Sequence, residues 1–119
     1  NERIHFLKME GKEVFKAAVN AMTGAAKDVL ERSGVGIEDI KCIIPHQANQ
    51  RIISAIGERL GAREDQVFVN LQKYGNTSAA SVAVALDEAL QTGKIQRGDK
   101  ILIVAFGAGL TWGATILEW

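Results

Sequence analysis

The 119-residue chain has one cysteine, Cys42, and no excess of either charge: 14 Lys and Arg balance 14 Asp and Glu. A lone thiol excludes an internal disulfide framework. With no second thiol or histidine at ligand spacing, it also leaves metal binding without support. Zero net charge removes any bulk electrostatic pull toward nucleic acid or a membrane surface. No apolar run is long enough to span a bilayer, and no basic-then-apolar leader ending in small residues is found. The expectation is a cytoplasmic protein that meets neither nucleic acid nor membrane. Low-complexity linkers and short repeats are absent too. Cys42 lies within Lys41-Cys42-Ile43-Ile44-Pro45, which reads as a buried strand with the thiol as a small, inert core group.

What is present suits one modest core. Hydrophobic residues make up 47% and charged residues 24% of the chain, as in a single α/β unit spanning 1–119. From Glu10 to Arg32, apolar residues at Val14, Phe15, Ala18, Val19, Met22, Ala26, Val29 and Leu30 recur in steps of three and four, predicting a long amphipathic helix. It stops at Ser33-Gly34-Val35-Gly36. After a connector over Ile37 to Ile40, Lys41 to Ile44 is the first clear strand. A second helix is predicted from about Ala48 to Leu60, ending at Gly61, then a short strand over Val67 to Val69. A third helix runs from about Thr77 to Leu90; small or apolar residues cover nearly every face of its first turns, which suits a helix sandwiched on both sides. The polar stretch Gln91 to Lys100 leads to Ile101 to Phe106, apolar on both faces and therefore central in a covered sheet. Gly107-Ala108-Gly109 makes a turn, and Leu110 to Trp119 returns as the last strand. The result is a mixed sheet packed by helices.

Two polar groups stand out against this background. His46, in Pro45-His46-Gln47-Ala48-Asn49-Gln50-Arg51, and Asn76, in Tyr74-Gly75-Asn76-Thr77-Ser78, each fall at a predicted strand exit and helix entrance. The loops there are exposed while the strand behind them is rigid. An imidazole N–H and a carboxamide N–H make a paired electrophilic site. Taken singly, each also fits a structural role: His46 as a cap of the following helix, Asn76 as a turn or N-cap residue. His5 has no comparable setting and reads as a surface or strand residue.

Pro45-His46-Gln47-Ala48-Asn49, Gly75-Asn76-Thr77-Ser78-Ala79-Ala80-Ser81 and Ala105-Phe106-Gly107-Ala108-Gly109-Leu110-Thr111-Trp112-Gly113, in that order, resemble the C-terminal half of the β-ketoacyl-acyl-carrier-protein synthase III family, condensing enzymes of the thiolase fold. The resemblance covers essentially the whole chain. It implies one βαβαβ-type half of a thiolase-like fold, with the third helix sandwiched against a second half. It also implies the first step of fatty-acid elongation. A cysteine takes an acyl group from acyl-CoA, malonyl-acyl carrier protein loses carbon dioxide, and the carbanion attacks the acyl-enzyme. Acyl-CoA and malonyl-carrier protein are substrates, and no cofactor or metal is expected.

By the same resemblance, His46 and Asn76 are the catalytic donors. Decarboxylation places an enolate oxygen where a neutral carbonyl oxygen had been, and donors aimed at it in a dry pocket favour the transition state. Asn49 would hold the pantetheine arm, Phe106 would line the decarboxylation site, and the Ala108 amide would complete a second oxyanion hole. Alanine stands there where the commoner family form has glycine, so a positive φ at that turn would be strained. Gln47, Ala48, Asn49, Gln50 and Arg51 resemble the carrier-contacting segment, with Lys16 and Arg59 as further cations for an acidic carrier helix.

The family's nucleophilic cysteine belongs to an N-terminal half outside these residues, and Cys42 does not replace it. The chain is therefore expected to be inactive without that half, and the complete enzyme to be a homodimer. Two other readings stand beside this one. The first is a non-catalytic carrier-protein-binding or dimerisation module. The second is a related thiolase-superfamily synthase using a different acyl acceptor.

Overall fold

The computed structural model describes residues 11–47, 49–75, 80–107 and 109–119. Helix α1 spans Gly11–Ser33, strand β1 Ile40–Pro45, helix α2 Gln50–Leu60, the single-turn helix α3 Leu71–Tyr74 and helix α4 Ala80–Gln91. Strand β2 covers Lys100–Gly107 and strand β3 Thr111–Glu118. Short 3-10 turns at Ile37–Asp39 and Glu64–Gln66 precede β1 and the segment after α2.

The sheet is mixed, in the order β1-β2-β3. β1 runs parallel to β2, with Pro45 opposite Val104, and β3 returns antiparallel with Trp112 opposite Phe106. Side-chain alternation along the strands divides the core in two. On one face Ile40, Ile43, Leu102 and Val104 pack with Ala18, Val19, Met22, Ala26 and Leu30 of α1 and Ile52, Ile56 and Leu60 of α2. On the other, Cys42, Ile44 and Ile101 meet Ala85 and Ala89 of α4 together with Ile95. Each fully buried isoleucine in these layers contributes about 1.5–3 kcal/mol. The periodic stripe read in α1 is therefore its sheet-facing side.

Helix α4 is covered on one side. Ser81, Ala85 and Ala89, at steps of four, form its buried stripe. Ala80 and Ala83 are exposed and Val84 is half-buried, so its apolar surface continues away from the sheet, as expected of a helix built to be sandwiched. On β3, Trp112 and Leu117 are likewise among the exposed large apolar side chains.

The structure departs from the periodic reading in three places. No ladder forms over Val67 to Val69. A single parallel bridge joins Ile43 to Val67, and the Phe68 N–H donates to the Ile43 carbonyl at 2.9 Å. The chain then leaves the sheet because the buried Gln47 side chain binds the Phe68 carbonyl and the Asn70 N–H instead. Asn76 consequently does not follow a strand: α3 intervenes and ends at Gly75, whose φ of 70° favours glycine. Helix α2 begins at Gln50, not Ala48, because Asn49 caps it from an extended conformation. Thr77, Ser78 and Ala79, predicted to open α4, lie outside the described residues, as does Ala48.

Candidate active site

β1 and β2 are parallel, and their pairing ends where Pro45, the last residue of β1, lies opposite Val104. Their C-terminal end is where an open α/β sheet collects its ligands. His46 leaves β1 there. Its backbone N–H continues the ladder by donating to the Val104 carbonyl at 2.8 Å, which fixes the Cα. Its half-buried ring extends toward α4, where Nδ1 lies 2.5 Å from Ser81 Oγ. Burial lowers the imidazole's proton affinity below the ordinary histidine range, so the ring is held neutral near pH 7. A neutral imidazole offers one N–H donor without giving up a full proton.

Gln47, the next residue, is only 1% exposed and faces inward. Its Nε2 donates to the carbonyls of Pro45 at 2.8 Å and Phe68 at 3.3 Å, and its Oε1 accepts from the Asn70 N–H at 3.0 Å. Its amide is thus occupied within the fold and its side chain is turned away from the surface, unlike the exposed position expected of Gln47 as part of a carrier-contacting segment. From there the linkage continues to α4. Asn70 Nδ2 donates to Glu88 Oε2 at 2.9 Å, and Lys73 Nζ donates to Glu88 Oε1 at 3.2 Å. The Glu88 carboxyl is held below its usual range, first by the Asn70 hydrogen bond and then by Lys73. These bonds tie the segment leading to Asn76 to the helix that also holds His46.

Asn49 is exposed, and its Oδ1 accepts the Ile52 N–H at 2.9 Å. It caps α2 from extended backbone, ahead of the helix predicted to begin at about Ala48. Gln50 is exposed and donates to Ser54 Oγ at 3.2 Å. Arg51 places its guanidinium 5.0 Å from the centre of the Phe15 ring of α1. Arg59, two turns on, donates to Asn20 Oδ1 at 2.6 Å, and Lys16 is exposed next to Phe15 on α1. Arg51 and Arg59 of α2 therefore both reach across to α1, the helix that carries Lys16.

Phe106 stands half-buried near the end of β2, packed on the α1–α2 side of the core. Asn76, Ala108 and Ala48 lie outside the described residues. Cys42 is fully buried and, chiefly through desolvation, its thiol is pushed up to about 11, which removes the thiolate a nucleophile needs. Sequence reasoning missed Ser81 and the Gln47–Asn70–Glu88 linkage. The available signal for Ser81 was a hydroxyl on the same helical stripe as Ala85 and Ala89.

Comparison with known proteins bears on this arrangement. Residues 30–119 match the family described as 3-oxoacyl-[acyl-carrier-protein (ACP)] synthase III C terminal. The chain belongs to that family. Among its synthase III relatives, the β-ketoacyl-[acyl-carrier-protein] synthase III of Desulfotalea psychrophila is 58% identical over 113 residues, covering 95% of this chain and 35% of that protein. The crystal structure of 3-oxoacyl-[acyl-carrier-protein] synthase III from Aquifex aeolicus superposes with a TM-score of 0.95 at 51% identity, over 99% of this chain and 38% of that one. The priming β-ketosynthase of the R1128 polyketide pathway gives a TM-score of 0.85 at 41% identity, over 93% of this chain and 34% of that one. The fold is thiolase-like, and the chain spans about a third of the length of the curated synthase III proteins it matches.

Proposed function

We propose that these residues form the decarboxylating and carrier-docking part of a β-ketoacyl-acyl-carrier-protein synthase III, acting with a cysteine-bearing segment outside them. The observation that carries this reading is His46: a ring kept neutral by burial, pinned at the C-terminal end of two parallel strands. In the reaction, the bond between the malonyl carboxylate carbon and the α-carbon breaks and carbon dioxide leaves. The electron pair moves into the thioester carbonyl, and His46 and Asn76 donate hydrogen bonds to the resulting enolate oxygen. The α-carbon then attacks the acyl thioester on the cysteine. A carbon–carbon bond forms and the cysteine thiolate departs. Acyl-CoA supplies the acyl group beforehand. Phe106 helps to keep the decarboxylation site dry, the role of hydrogen-bond donor to the acyl carbonyl falls to the Ala108 N–H, and the amide of Asn49 meets the pantetheine arm.

The acyl carrier protein docks on the α1–α2 surface. Arg51 and Arg59 contact α1 there and Lys16 is exposed on that helix, and complementary charge mainly sets encounter rate and register.

The test is decarboxylation of malonyl-carrier protein and formation of the 3-oxoacyl product by the protein carrying this chain with its cysteine-bearing part. His46→Ala or Asn76→Ala is expected to lower turnover by about 10²–10³-fold. Undiminished turnover in both variants would sink the proposal. A carrier-binding module without catalysis is the second reading, favoured only by the cationic surface. It requires carrier binding without any condensation in the unsubstituted protein. Identification of the acyl acceptor from the product separates a fatty-acid synthase from a relative with another acceptor.

A further inference from the structure

Ser81 is 2% exposed, in the first turns of a helix whose sheet-facing side is otherwise apolar, with Ala85 and Ala89 buried and Val82, Leu86 and Leu90 packed beside them. A buried hydroxyl in such a place needs partners. It has two at the strand exit. Its Oγ accepts the backbone N–H of Gln47 at 3.3 Å and lies 2.5 Å from His46 Nδ1. A serine hydroxyl has one hydrogen and two acceptor positions. The Gln47 N–H points a hydrogen at the oxygen and takes one acceptor position. The hydroxyl's own hydrogen still needs an acceptor, and among the described residues Nδ1 is the one within reach, which makes the hydroxyl the donor and the ring nitrogen the acceptor. In a neutral imidazole, an acceptor Nδ1 leaves the proton on Nε2.

We infer that Ser81 is the positioning residue of His46: its hydroxyl donates to Nδ1 and so holds the ring proton on Nε2, the nitrogen left to face a substrate carbonyl. The inference rests on the proposed decarboxylation for its functional meaning. Its structural content is independent of substrate. Ser81 is buried with its hydroxyl on His46 and Gln47, and is assigned no contact with substrate. It acts through His46 by selecting a tautomer and a ring orientation, as hydrogen-bonded partners of functional histidines do. The same oxygen also anchors the Gln47 peptide, so ring and backbone are aligned by one atom of α4.

The experiment is nitrogen-15 NMR of the intact protein carrying [15N]histidine, near neutral pH and without substrate, with the His46 signals assigned from their loss in His46→Gln. The expected spectrum shows a protonated Nε2 and a bare Nδ1. In Ser81→Ala, the ring is expected to populate the Nδ1–H form, and kcat for malonyl decarboxylation to fall by about 10–100-fold with KM little changed. If Ser81→Ala does not fold, Ser81→Cys, a much weaker donor, takes its place with the same expectation. A proton on Nδ1 in the unsubstituted protein, or an unchanged tautomer in the folded variant, overturns the inference and leaves the proposed reaction standing. Undiminished decarboxylation in His46→Ala removes the proposed reaction and leaves the tautomer result untouched.

Discussion

Gln47 Oε1 accepts the backbone N–H of Asn70 at 3.0 Å, joining the exit of β1 to the segment that leads into α3. Because the same side chain donates to Pro45 and Phe68, it serves where a sheet ladder would otherwise run. Removing it strands buried backbone groups, and each such group costs about 1–3 kcal/mol. Gln47→Ala is expected to lower the urea midpoint by an amount equivalent to about 3 kcal/mol. A midpoint shift below about 0.5 kcal/mol, the size of an ordinary surface change, would show that the clip is dispensable.

His46 has a second consequence, through pH. Burial lowers its folded-state proton affinity, so the unfolded chain binds the proton more readily. Stability rises with pH wherever the unfolded state holds more protons. The contribution of the neutral ring is thus complete above the unfolded value of about 6.5. It is lost as pH falls from there through the lower folded value. His46→Gln should flatten this part of a plot of urea midpoint against pH, and identical slopes in the two proteins would contradict the assignment.

Cys42 should be silent toward thiol reagents. It is fully buried, and that burial pushes its thiol up to about 11, so a disulfide reagent at pH 8 is expected to label it only after denaturant is added. Rapid labelling of the native protein would place the thiol at the surface and reopen a nucleophilic role.

Asn49 combines a structural oxygen with a carboxamide N–H that the proposed function assigns to pantetheine. Asn49→Ala removes the α2 cap bond to Ile52 and is expected to cost about 1 kcal/mol. Asn49→Asp keeps an acceptor at the helix N-terminus and should keep the stability while raising KM for the carrier thioester. Equal KM values for Asn49→Asp and the unsubstituted protein would confine Asn49 to capping.

Arg51 tests the docking surface. Arg51→Glu exchanges a cation beside Phe15 for an anion, and is expected to weaken acyl-carrier-protein binding chiefly through the association rate, with the difference shrinking as salt is raised. The lost ring contact should cost stability no more than about 0.5–1 kcal/mol. Unchanged association kinetics at low salt would move the docking surface elsewhere.

The sequence by itself determined the order of the main elements, the inert position of Cys42 and the placement of His46 at a strand exit. A period of 3.6 is a property of the local backbone, so Val19, Met22 and Ala26 carry their environment in their spacing, while the unbroken run Ile101 to Val104 marks a strand covered on both faces. Only the tertiary structure decided what the polar residues do. Gln47 reads as surface in a polar run, yet it is buried because the Phe68–Asn70 segment closes over it. Ser81 meets His46 from 35 positions away, and Arg51 meets Phe15 across two helices. A buried polar group must find a partner wherever packing brings one, and the identity of that partner is set by how distant segments close on one another.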